Sequence, residues 1–243
     1  MRALLLLLIA AGLTAGCRPV TNHTGDAFTA TGELIALSGG EGGPKAACFS
    51  CHGQQGQGDG VTAPRLAGLD AGYLQKQLDD YAADLRHDTI MTPIAKRLDH
   101  DDRRAVAAYY AAMPTQAPTR AALPAPSLYL SGDAARGVVA CAACHGGEGQ
   151  GVGPANPALA GQPKAYTADQ LTRWRESKRR NDPREVMTAA AAPLTDAEIR
   201  TIAAWLERLP ASPRPDTDAA SLSAAESAGA RLAASRGARR PGR

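Results

Sequence analysis

The sequence predicts an all-α protein built from two tandem copies of one small helical unit. Three features carry that prediction. A block of residues recurs across most of the chain at a fixed offset. Within each copy, apolar residues return at helical spacing. No segment shows the apolar–polar alternation of a half-buried strand.

The repeat is read residue by residue. Cys48-Phe49-Ser50-Cys51-His52 returns as Cys141-Ala142-Ala143-Cys144-His145, an offset of 93 residues. The same offset carries Pro64 to Pro157, Leu66-Ala67-Gly68 to Leu159-Ala160-Gly161, and Tyr73 to Tyr166. It also carries Gln77-Leu78 to Gln170-Leu171, Tyr81 to Trp174 and Arg86 to Arg179. Beyond that point the offset is 96. Met91 then corresponds to Met187, Leu98 to Leu194, Ala107-Ala108-Tyr109 to Ala203-Ala204-Trp205, and Met113-Pro114 to Leu209-Pro210. The second copy therefore carries three extra residues between Arg179 and Met187.

Taken in chain order, residues 1–16 read as a secretory signal peptide. Arg2 supplies the charge, residues 3–12 the apolar run, and Ala15-Gly16 the small residues before the cut. The run is shorter than the roughly 20 apolar residues a membrane span needs, and no other candidate span occurs. Ala15-Gly16-Cys17 resembles the cleavage box of bacterial lipoproteins, which implies a lipid on Cys17. Residues 17–31 then form an N-terminal anchor or linker. The first unit spans 32–114. Its stripe Leu74, Leu78, Tyr81, Leu85 predicts one amphipathic helix, and Val106, Tyr109, Tyr110, Met113 a second. Residues 115–127, with Pro118, Pro124 and Pro126, read as a stiff linker. The second unit spans 128–210. There Thr195 and Glu198 form a capping box ahead of the stripe Ile199, Ile202, Leu206, Leu209. Residues 211–243 are Ala-, Ser- and Arg-rich and read as disordered.

Each unit is about 80 residues, small for an independent apolar core. Aromatic residues make up only 4% of the chain. A covalently held ligand would supply the missing bulk. The motif that recurs names it, since Cys-x-x-Cys-His is the attachment signature of c-type haem. Two thiols a helical turn apart can add to the two vinyl groups of one porphyrin, and the adjacent histidine lies under the iron. Cys48, Cys51, Cys141 and Cys144 are thus expected to hold two haems c, with His52 and His145 as iron ligands. Zinc ribbons place their cysteine pairs about 15–20 residues apart, far closer than Cys51 and Cys141. A thioredoxin-like pair needs a βαβ pattern, which is absent.

For the second axial ligand the repeat separates the methionines. Met91 and Met187 correspond to each other, whereas Met113 corresponds to Leu209 and only needs to be apolar. No histidine follows His145, and His87 and His100 have no histidine counterparts. Met91 and Met187 are therefore the expected ligands. Pro64 and Pro157 each lie twelve residues after the haem histidine. That spacing resembles class I cytochromes c, where a proline carbonyl holds the histidine ring.

Over residues 32–210 the chain resembles the cytochrome c4 family. The shared motifs are the two Cys-x-x-Cys-His sequences, Pro64-Arg65-Leu66-Ala67-Gly68, Pro157-Ala158-Leu159-Ala160-Gly161, and Arg180-Asn181-Asp182-Pro183 before Met187. The resemblance implies two tandem class I cytochrome c domains, each wrapped around one covalent haem. It implies a periplasmic carrier serving redox partners such as a terminal oxidase, a bc1-type complex or a dehydrogenase. Residues 38–45 are glycine-rich with Pro44, so the helix before the first haem is expected to be short or distorted.

Residues 32–113 hold 8 basic and 11 acidic groups, and residues 128–210 hold 10 and 9. The more negative first half predicts the lower potential for the first haem. Arg173, Arg175, Lys178, Arg179, Arg180 and Arg184 form a basic cluster that could steer an acidic partner. Nucleic acid is not an expected partner for an exported haem protein. The leading reading is a relay of single electrons in a periplasmic respiratory chain, anchored to the membrane through Cys17, and not an enzyme. The alternatives are a haem enzyme, of the two-haem peroxidase or thiosulfate-oxidising type, or the electron-accepting subunit of a periplasmic dehydrogenase. A haem enzyme needs an open or displaceable iron position, and both halves offer a matched methionine instead.

Overall fold

The computed structural model describes residues 24–115 and 121–211. The signal peptide, Cys17 and the disordered tail expected beyond 211 lie outside these residues. The described residues form ten α-helices: α1 (Thr24–Ser38), α2 (Phe49–His52), α3 (Ala71–Ala82), α4 (Met91–Ala95), α5 (His100–Ala112), α6 (Ser127–Ser131), α7 (Ala142–His145), α8 (Lys164–Arg175), α9 (Val186–Ala191) and α10 (Asp196–Glu207). They contain two isolated bridge pairs and no strand.

In the first half α1 and α3 both pack on α5, burying Ile35, Ala36, Leu74, Val106, Ala107 and Tyr110. The approach of α1 to α5 is close enough to dictate a residue. A Cβ on Gly32 would sit 2.1 Å from the Ala105 carbonyl oxygen, so only glycine fits. This helix starts at Thr24, inside the segment read as a linker. It runs 15 residues, neither short nor distorted. The glycine-rich stretch after it forms two 3-10 turns, Gly40–Gly42 and Pro44–Ala46.

The shortened leading helix is in the second half instead. There α6 has five residues and is preceded by Pro126, which has no N–H to extend a helical ladder. Its Tyr129 compensates. That ring is fully buried against Trp205 of α10, with centroids 4.6 Å apart. In the first half the equivalent pair is Ala36 and Tyr109, so the large side chain has changed sides of the contact.

Helix α3 ends at Ala82, earlier than its apolar stripe suggests. Asp84 then takes φ 59°, and Leu85 is left exposed. Ser177 does the same after α8, with φ 56°. These paired left-handed turns point Arg86 and Arg179 back into the protein. There the two halves meet around a nearly symmetric cluster. Arg86 donates to Gln77 (2.9 Å) in its own half and to Gln170 (2.7 Å) and the Tyr166 hydroxyl (3.1 Å) in the other. Arg179 donates to Gln170 (2.7 Å) in its own half and to Gln77 (3.0 Å) in the other. Each guanidinium also stacks on an aromatic ring of its own half, Tyr81 or Trp174.

Candidate functional site

Each attachment motif is one helical turn. The Cys48 carbonyl accepts from the His52 amide at 2.9 Å, and the Cys141 carbonyl from the His145 amide at 2.9 Å. That turn carries both thiols and the imidazole. None of the four motif cysteines is in a disulfide; Cys51 and Cys144 are exposed and Cys48 and Cys141 half-buried.

The two histidines are buried, 6% and 7% exposed. His52 Nδ1 lies 2.9 Å from the Pro64 carbonyl oxygen, and His145 Nδ1 lies 2.8 Å from that of Pro157. A carbonyl can only accept, so Nδ1 carries the proton and Nε2 keeps its lone pair. Burial lowers the pKa of both rings, with the proline contact partly opposing it. The result is a neutral imidazole with a fixed tautomer, the form that binds a metal. The loop that delivers each proline closes through a glycine. The Gly58 and Gly151 amides donate to the His52 and His145 carbonyls at 2.8 Å, at φ 81° and 79°. A Cβ on either would press on the proline loop, within 3.0 Å of Pro64 and 2.8 Å of Pro157.

Met91 and Met187 are half-buried; Met91 opens the short helix α4 and Met187 is the second residue of α9. An aspartate fixes each backbone. Asp88 accepts from the Met91 amide at 3.0 Å, and Asp182 accepts from the Met187 amide at 2.6 Å. Sequence reasoning missed these aspartates. The signal was an Asp ahead of each Met-Thr pair, obscured by the change of offset between the halves. Met113 packs against the first core, while His87 and His100 are exposed.

This donor set fits covalent haem c. Two free thiols stand one turn from an imidazole whose proton is already committed. It does not fit a zinc site, because no group of three or more His, Cys, Asp or Glu side chains among the described residues is arranged to hold a metal ion. The basic cluster of the second half is mostly spent on local partners. Arg173 pairs with Asp169, Arg175 with Asp196, Lys178 with Glu176 and Arg180 with Glu185, and Arg179 is buried. Such neutralised pairs give little long-range steering. Among the described residues no helix is long and apolar enough to cross a membrane.

Residues 41–113 and 133–210 each match the cytochrome c family model. The chain is 40% identical over 188 residues to the thiosulfate dehydrogenase electron acceptor of Stutzerimonas stutzeri, covering 74% of this chain and 86% of that one. It is 38% identical over 176 residues to cytochrome c4 of Thiocapsa roseopersicina, covering 70% and 91%. The solved structure of reduced recombinant cytochrome c4 from Pseudomonas stutzeri is similar with TM-score 0.65 at 31% identity, over 74% of this chain and 97% of that one. Thiosulfate dehydrogenase from Marichromatium purpuratum, as isolated, gives TM-score 0.67 at 36% identity, over 75% of this chain and 40% of that one.

Proposed function

Because the chain belongs to the cytochrome c family, as a two-haem carrier of the cytochrome c4 kind, we propose that it accepts single electrons from a thiosulfate-oxidising dehydrogenase in the periplasm. It is an electron carrier with two covalently bound haem c groups and is not itself an enzyme. The observation that carries the choice of donor is the 40% identity to a thiosulfate dehydrogenase electron acceptor.

In this reading Cys48 and Cys51, and Cys141 and Cys144, form the thioether links. His52 and His145 would give Nε2 to iron, their rings held by the Pro64 and Pro157 carbonyls. Met91 and Met187 would each supply a thioether to the iron, their backbones tethered by Asp88 and Asp182. Each haem c supplies a one-electron iron couple, which imidazole and thioether ligation place at high potential. Oxidation at sulfur releases electrons in pairs, and two one-electron sites in one chain match that count. Ile90 and Val186, the residues before the two methionines, are exposed apolar groups at matched positions. They offer a partner two equivalent contact points.

Stopped-flow mixing of the oxidised carrier with thiosulfate and the dehydrogenase of Marichromatium purpuratum tests the donor. Rapid reduction of both haems that requires both thiosulfate and enzyme is the expected result. If the carrier stays oxidised, yet exchanges electrons readily with terminal-oxidase membranes, the oxidase-serving role of a general cytochrome c4 replaces this reading.

A further inference from the structure

The two halves differ at one buried point beside the first haem site. Arg65 follows Pro64, whose carbonyl holds His52. It is 5% exposed. Its guanidinium donates to the Ala67 carbonyl in its own loop and to the Ala160 carbonyl in the other half at 2.9 Å. Its backbone is gripped from the second half as well. The side-chain amide of Gln162 accepts from the Arg65 N–H at 3.0 Å and donates to the Arg65 carbonyl at 2.9 Å. Gln162 is itself 5% exposed. Burial lowers the Arg65 pKa to about 10, which leaves it charged at neutral pH.

The repeat supplies an internal control. At the 93-residue offset Arg65 corresponds to Ala158, and Gln162 to Leu69. The second haem site therefore has neither the buried cation nor the clamp. Ferric iron carries one more positive charge than ferrous iron. A cation nearby, poorly screened because it is buried, disfavours the ferric form.

We propose that Arg65, clamped by Gln162 of the second domain, is a positioning and charge-setting residue that raises the potential of the first haem selectively. The docking of the second domain thereby tunes the first. This works against the acidic surface balance of the first half, which pulls its potential down. Buried charge outweighs exposed charge here because salt and water screen the latter.

The proposal rests on His52 as the iron ligand, so the test separates the two. Wild-type protein should first show two low-spin haems, and loss of the first on His52 substitution establishes the ligand independently. Redox titration is then run on wild type, Arg65→Gln, Arg65→Lys and Gln162→Leu, with the haems assigned by NMR of their methyl groups. Arg65→Gln keeps a hydrogen-bond donor and removes the charge. It should shift the electron distribution between the haems about tenfold towards the second, ~59 mV for one electron. The second haem should not move, and Arg65→Lys should restore most of the shift. Gln162→Leu reproduces Leu69 and lets water screen the guanidinium, so it should move the first haem the same way by less. Equal shifts in the Gln and Lys variants, movement of both haems, or no shift at all would each overturn the proposal. If Arg65→Gln fails to fold, the absence of a first-haem shift in Gln162→Leu does so alone.

Discussion

A histidine beside two cysteines becomes a dependable iron ligand only when its other nitrogen is held, and both halves hold it with a proline carbonyl. The twelve-residue spacing makes that contact legible in the sequence, because the intervening loop has to return over the imidazole. The proposal of Met91 and Met187 as ligands rests on a different signal, the contrast between a repeated Met and a Met replaced by Leu. Replacing Met91 or Met187 by Ala should open one iron to carbon monoxide and abolish half of the methionine-to-iron charge-transfer band. Met113→Leu should leave the band intact, since its counterpart is Leu209. Loss of the band in Met113→Leu but not in Met91→Ala would reverse the assignment. Cys17 lies outside the described residues, and its proposed lipid is testable by fractionation. Cys17→Ser should move the protein from membrane to soluble periplasm, whereas a soluble wild type would leave no role for the anchor.

At the scale of helices, the sequence signals that succeeded were local ones. The Thr195 capping box is present, with the Thr195 hydroxyl accepting from the Glu198 amide and Glu198 accepting from the Thr195 amide at 2.8 Å. Thr195→Ala should cost about 1 kcal/mol of stability, read by thermal unfolding. Glu198 also receives both Arg136 guanidinium nitrogens, at 2.6 and 3.0 Å. Arg136, followed by the Thr195 amide, holds its carboxyl down at about 2, against 4.5 ordinarily. A depressed carboxyl stabilises the fold fully above its unfolded pKa and loses that contribution as pH falls through the folded value. The stability difference between wild type and Arg136→Ala should therefore be flat above about pH 5 and shrink between pH 4.5 and pH 2. It should also be modest, because the pair is solvent-screened. A difference that grows on acidification would contradict the pairing. Signals that failed were overridden by a local turn or by a tertiary contact. Leu85 has the right spacing for the α3 stripe, yet the left-handed turn at Asp84 removes it from the helix. The early start of α1 depends on tertiary contact with α5, where Gly32 allows a crossing that no periodicity reveals.

For the whole molecule, the question is whether two halves joined by a proline-containing linker behave as one body. Gln77, Arg86, Gln170 and Arg179 were visible in the sequence as repeated residues but carried no sign that each pair serves the other. Their arrangement makes the answer specific. Two buried guanidiniums share two amide oxygens, so each glutamine satisfies one arginine of its own half and one of the other. Separating the halves would cost Arg86 two of its three acceptors and Arg179 one of its three, with water in their place, a net loss of about 0.5–1.5 kcal/mol for each hydrogen bond. Docking is therefore expected to be firm and to fix the distance between the irons, which a relay requires and a flexible tether would not give. A double-mutant cycle on Arg86→Met and Gln170→Leu measures this directly. Residues in one hydrogen-bond network couple by about 0.5–3 kcal/mol, and independent sites add to within about 0.5. Coupling in that range is expected in chemical unfolding, together with a larger hydrodynamic radius for the Arg86→Met, Arg179→Met double variant. Strict additivity and an unchanged radius would mean that the halves do not depend on this cluster to stay together.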